Sequence, residues 1–142
     1  MRKNKFEELY TKVEEARKLY KAGEQEKARI EYSKVEKALK EQNIDFRKIW
    51  TMYDKAKENK NQYIDFNDNI WNSEVEYLIK ILRDNGIKKF TFSSGWSDAV
   101  KTAWLFTKNG CILEGLIQIN SSFESFKTGE KIKIPAYLFK VN

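Results

Sequence analysis

Few residues in this 142-residue chain could do chemistry, and their types exclude more than they suggest. There is no histidine, which removes Ser–His and Cys–His nucleophile pairs, two-histidine metal sites and the usual general base near neutral pH. The single cysteine, Cys111, rules out an internal disulfide and any multi-cysteine zinc site. At the start of an apolar strand it reads as a small buried hydrophobe. In the second half, Asp84, Asp98, Glu114, Glu124 and Glu130 are among the carboxylates; these stand singly and form no pair suited to acid–base work or to a two-metal site. Asp65, Asn67, Asn69 and Glu76 fit the spacing of a helix–loop–helix calcium site, but Ile70 stands where its sharp turn needs glycine. The expectation is a protein that is not an enzyme and carries no metal or cofactor.

Two features could bind something. In the turn Ser93-Ser94-Gly95-Trp96-Ser97, between a strand and a helix, Ser94, Gly95 and Ser97 can present hydroxyls and free backbone N–H groups to an anion, with Lys101 the nearest cation. The competing reading is a serine-capped turn with Trp96 packed on the sheet. The turn is no nucleophile elbow, because Gly95-Trp96-Ser97-Asp98-Ala99 lacks the closing glycine. The second feature is a basic helical surface in the first 61 residues. Its candidate contacts are Lys34, Lys37, Arg47 and Lys48, with Trp50 and Tyr53 as aromatic anchors if they are not core. Acidic neighbours four residues away, such as Glu8 with Lys12, partly neutralise this surface.

The net charge is +6, from 27 basic and 21 acidic residues. Residues 1–61 hold 17 of the basic and 12 of the acidic groups, so the excess lies almost wholly in the first part. That balance permits contact with RNA, DNA or an acidic protein. Only Arg2, Arg17, Arg29, Arg47 and Arg83 are arginines, and lysine excess argues weakly for base reading. No apolar run is long enough to span a bilayer, and Met1-Arg2-Lys3-Asn4-Lys5 leads into no signal-peptide core. No membrane contact is expected, and the expected location is the cytoplasm of a bacterial host cell.

The elements that must position these residues follow from periodicity. Phe6, Leu9, Tyr10, Val13, Ala16 and Tyr20 predict a helix over about 3–22, ended at Gly23. Ala28, Tyr32, Val35 and Leu39 predict a second over about 25–42, with Asn43 its terminator. Phe46, Ile49, Trp50 and Tyr53 predict a third over about 45–59, capped by Asp45. Residues 61–72 read as a polar linker. Ser73 and Glu76 form a capping box for a helix with Val75, Leu78, Ile79 and Leu82 inward. Strands are expected at 88–93, 111–120 and 132–141, with a helix from Ser97 to Asn109 that packs through Val100, Ala103, Trp104 and Thr107. Pro135 places the last strand at an edge or at a bulge. The class is α+β: a three-helix unit (1–60), the linker (61–72) and a helix–strand–helix–strand–strand layer (73–142).

The second unit carries a run of short words: Phe90-Thr91-Phe92-Ser93-Ser94, Trp96-Ser97, Asn109-Gly110-Cys111, Glu114-Gly115-Leu116, Ile119-Asn120, Thr128-Gly129-Glu130 and Ile134-Pro135-Ala136. In these it resembles a small α+β domain found in proteins of phages and other mobile elements of low-GC Gram-positive bacteria. Some proteins of that organisation are anti-CRISPR inhibitors. The resemblance implies a non-enzymatic inhibitor that binds a host defence nuclease, or its ribonucleoprotein complex, stoichiometrically. The alternatives are a basic nucleic-acid-binding regulator of a mobile element and a helical protein–protein adaptor. A homodimer through the last strand is a further expectation.

Overall fold

The computed structural model describes residues 4–68 and 70–142; Asn69, one position of the calcium-type spacing, lies outside the described residues. Helix α1 spans Lys5–Lys21 and begins at Asn4, whose side chain accepts the Glu7 N–H at 3.1 Å. Its inward stripe is Phe6, Leu9, Val13 and Ala16, and Gly23, at φ +83°, reverses the chain into α2, Gln25–Lys40. α3 spans Ile44–Glu58. Its cap is Asn43, which accepts the Phe46 N–H at 2.8 Å, and not the expected Asp45. A cap residue must be extended, and Asn43 is (ψ 170°), whereas Asp45 already lies inside the helix. α1 and α2 pack as a hairpin, and Phe6 stacks on Phe46 with ring centroids 4.3 Å apart, tying the hairpin to α3.

The segment 61–72 is not a linker. It holds a short strand, β1, Ile64–Phe66, which pairs parallel with β2, Lys89–Phe92, in the register Ile64↔Phe90. Ile64, Phe66 and Ile70 are buried, and one apolar cluster runs from Phe6 in α1 to Phe139 near the chain's end. The two expected units therefore share a core. A 3-10 turn, Asn72–Glu74, leads into α4, Val75–Asp84. The Ser73–Glu76 box does not start this helix; the Glu74 carboxylate accepts the Trp71 N–H at 2.9 Å instead. The buried face is the expected one, Val75, Leu78, Ile79 and Leu82, and Gly86 closes the helix at φ +69°.

β2, α5 (Ala99–Lys108), β3 (Ile112–Glu124) and β4 (Lys131–Lys140) complete a four-stranded sheet in the order β1-β2-β4-β3. β2 and β3 run the same way, as a strand–helix–strand crossover requires, but β4 lies between them and pairs antiparallel with both. The last strand is thus interior where β2 reaches it, from Tyr137 to Lys140. Pro135 sits beyond that reach, opposite Gln118 of β3, so its missing N–H interrupts no pairing with β2. The edge strands are β1 and β3, and a dimer formed through the last strand has no open edge along Tyr137–Lys140. β3 also runs to Glu124, four residues past its expected end. Its register with β4 shifts between Leu113 and Gly115 and again between Asn120 and Glu124.

The inward face of α5 differs from the expected one. Thr102 and Phe106 are buried, whereas Val100 is 82% exposed and Trp104 57% exposed. The Phe106 ring meets Phe66, Phe90, Phe92 and Phe139 at centroid distances of 5.7, 5.0, 5.2 and 5.3 Å. Ala99, Ala103 and Leu105 pack partly buried beside Phe106, so of the expected face only Ala103 meets the core, while Val100 and Trp104 stand outside. Alternation puts Asp65, Thr91 and Ser93 on the opposite face of the sheet. Near that face, the Asn61 carboxamide donates to the Asn120 carbonyl at 2.9 Å and accepts the Asn120 N–H at 2.8 Å. It thereby occupies both backbone groups that a neighbouring strand would take at that point of β3.

Candidate binding site

The predicted basic contacts do not form one site. Lys34 and Lys37 lie with Arg29 around Ile30 on the outer side of α2, and Lys34 is paired with Glu31 at 3.0 Å. Arg47 is exposed on α3. Lys48 is spent internally: its Nζ lies 2.7 Å from Glu74, joining α3 to the turn before α4, with both side chains about one-quarter exposed. Trp50 and Tyr53 are partly buried against the core. Tyr53 stacks on Phe6 at 5.8 Å and Trp50 on Tyr53 at 6.2 Å, so these rings serve packing and not anchoring. Burial pushes the Tyr53 hydroxyl above its usual pKa, with Glu7, Tyr10 and Glu14 adding to the shift.

Ser94 and Gly95 of the expected anion turn are engaged by a side chain of the chain itself. The Asp68 carboxylate accepts the Ser94 hydroxyl and, at 3.2 Å, the Gly95 N–H. The Ser94 oxygen in turn accepts the Trp96 N–H at 3.2 Å. A free phosphate would have to displace Asp68. Neither Ser97 nor Lys101 takes part, and α5 starts from Asp98. Trp96, expected to pack on the sheet, is 54% exposed. The neighbouring Asp65 accepts the Thr91 hydroxyl at 2.7 Å and the Ser93 hydroxyl. Asn72 links Asp98 to Thr102. Segment 65–72 is thus stitched to β2 and α5 by side-chain hydrogen bonds, which sequence spacing could not show because the partners lie 26 to 30 residues apart.

Burial raises the Asp65 pKa, opposed by the two hydroxyl hydrogen bonds and aided by Asp68. Among the described residues, no group of three or more His, Cys, Asp or Glu is arranged to hold a metal ion. Cys111 is buried, and burial pushes its thiol up to about 11, which suits a packing residue and not a nucleophile.

Two cavities flank the stitched segment. One, about 500 Å³, lies between α3, the end of β1 and the bulged part of β3; Lys55, Asp65, Asn59 and Phe123 are among its walls. The Asn59 side chain donates to Ser122 at 3.2 Å, while its buried Oδ1 has no hydrogen-bond partner among the described residues. The other, about 360 Å³, opens on the opposite side of Asp68, between Trp71 and Trp96. Sequence reasoning missed it, since Trp71 fell in the supposed linker and Trp96 was assigned to packing.

No curated protein and no solved structure matches the chain. A family model does match, over residues 48–141. That stretch begins inside α3 and so includes β1 and both cavities, while α1 and α2 precede it. The chain belongs to the family described as a domain of unknown function, DUF7698.

Proposed function

We propose that the protein acts without catalysis, by stoichiometric binding to another protein, and that its target is a host defence nuclease or that nuclease's ribonucleoprotein complex, in the manner of an anti-CRISPR inhibitor. The binding part of this reading rests on one observation: large apolar side chains stand in solvent around the α5 end of the family segment. Trp71, Trp96, Val100 and Trp104 are each more than half exposed, and Val100 and Trp104 share one helix face. Exposed aromatic groups of this size are characteristic of interface centres. The choice of target rests on the resemblance of the C-terminal half to phage and mobile-element proteins. The bacterial cytoplasm is the compartment this reading requires.

The test is a titration of purified, guide-loaded nucleases from low-GC Gram-positive hosts with the full chain. Loss of cleavage that completes near one equivalent, and that Trp104→Ala with Val100→Ser weakens at least tenfold, supports the reading. Undiminished cleavage at large excess for every nuclease tried overturns the target. A basic regulator remains the second reading, through Arg29, Lys34 and Lys37 on α2. Its signature is affinity for nucleic acid that falls steeply with salt.

A further inference from the structure

The cavity between Trp71 and Trp96 has an unusual composition for a chain of net charge +6: two carboxylates, Asp68 and Asp98, line it, and among the described residues no lysine or arginine does. Phe92 and Ile70, both buried, form part of its apolar wall, and the two indoles, 66% and 54% exposed, stand beside it. We propose that this cavity receives the cationic side chain of a lysine or arginine presented by the partner protein. The inference rests on the protein-binding reading above and names the chemistry that the partner brings.

Three considerations carry it. Indole faces attract ammonium and guanidinium groups, more so when the contact is shielded from water. Each carboxylate is fixed by hydrogen bonds through one oxygen only, Oδ1 of Asp68 by Ser94 and Gly95 and Oδ2 of Asp98 by Asn72. The second oxygen of each has no partner among the described residues, so the charges are oriented in advance without being neutralised. The start of α5 also faces this region and by itself favours an anion, but a helix end amounts to about half a charge. Two carboxylates outweigh it. At about 360 Å³ the cavity is near the lower limit of small-molecule sites, a size suited to a single side chain.

The experiment follows the indole N–H resonances of the full chain by NMR during titration with N-acetyl-lysine methylamide and N-acetyl-arginine methylamide. N-acetyl-norleucine methylamide serves as the uncharged match, and choline as a free small cation. The expected result is saturable shifts of Trp71 and Trp96, with Trp50 and Trp104 unmoved, and norleucine binding at least fivefold weaker than either cationic probe. Asp68→Asn combined with Asp98→Asn, which keeps the internal acceptors, should weaken binding at least tenfold. If that variant loses its dispersed spectrum, Trp96→Leu, at an exposed position, replaces it with an expected loss of at least threefold. Equal binding of norleucine, full affinity in the variants, or shifts at Trp50 and Trp104 alone would each overturn the proposal. Choline binding tenfold tighter than both side-chain probes would overturn the side-chain assignment in favour of a free cation. No nuclease enters this titration, so its failure is separable from failure of the inhibitor reading.

Discussion

Helices α2 and α4 show how unevenly this chain is held together. α2 has 16 residues and buries only Ala28 and Val35, whereas α4 has 10 and buries Val75, Leu78, Ile79 and Leu82. Apolar burial stabilises by roughly 25 cal/mol per Å² removed from water, so the shorter helix is the more strongly retained. α2 reaches the rest of the protein mainly through α1, while α4 contacts α3, α5 and the turn that precedes it. α2 is thus the lightly held element, whereas α1, which buries Phe6, Leu9, Val13 and Ala16, belongs to the shared core. The outer surface of α2 carries Arg29, Lys34 and Lys37 around the exposed Ile30.

The widest gap should appear between two truncations. Phe106→Ala removes the ring that meets four strand phenylalanines and should cost about 3–5 kcal/mol. Val35→Ala should cost about 1–2 kcal/mol, since it deletes two carbons from a lightly buried helix. Urea denaturation measures both, and equal costs would break the comparison.

Alkylation of Cys111 sharpens it from another side. With the thiol raised to about 11, the thiolate fraction at pH 8 is about 10⁻³, against roughly 0.2 for an unfolded thiol. Iodoacetamide should therefore label the native protein at least a hundredfold more slowly than the urea-unfolded chain. Val35→Ala should leave the native rate unchanged if the hairpin opens independently, while Phe106→Ala should raise it. A rate raised equally by both would show that the two regions open as one.

The smallest effect concerns Asp65, at the polar face of the sheet. Burial raises its folded pKa, so the folded state holds the proton more tightly than the unfolded chain does. That contribution favours folding below the unfolded carboxylate value and is lost as the pH rises through the folded one. Asp65→Asn should consequently melt higher than the natural protein at pH 7, with the difference closing below the ordinary carboxylate range near pH 3.8. A difference independent of pH would show that the substitution acts through the Thr91 and Ser93 hydrogen bonds alone.

Much of the helical architecture was legible because a 3.6-residue stripe is a local property. α1, α2, α3 and the buried face of α4 all follow from it, to within two residues at most boundaries. β1 was not legible: three residues in an asparagine-rich stretch become a strand only because β2, more than twenty residues later, offers them a partner. The wrong face of α5 has a different cause. Ala99, Val100, Ala103, Trp104, Leu105 and Phe106 place apolar groups nearly all round a ten-residue helix, so size and type could not rank the faces; the phenylalanine-rich sheet did. The turn at Ser94 offered two readings in sequence, an anion site and a serine-capped turn, and neither named a partner for its hydroxyl. Its ligand, Asp68, was invisible because nothing local joins them.

The carboxamide of Asn61 against Asn120 has a consequence in time as well as in space. It links positions 59 residues apart, and the adjacent bonds from Asn59 to Ser122 and from Asn120 to the Asn59 carbonyl span 63 and 61. Contacts of such separation close well over a third of the chain into a loop, and that entropy must be spent before any of these bonds can form. The hairpin of β3 and β4 and the helix pair α1–α2 are joined by contacts much closer in sequence. Fastening the far end of β3 to the end of α3 therefore costs more loop entropy than closing either of those hairpins.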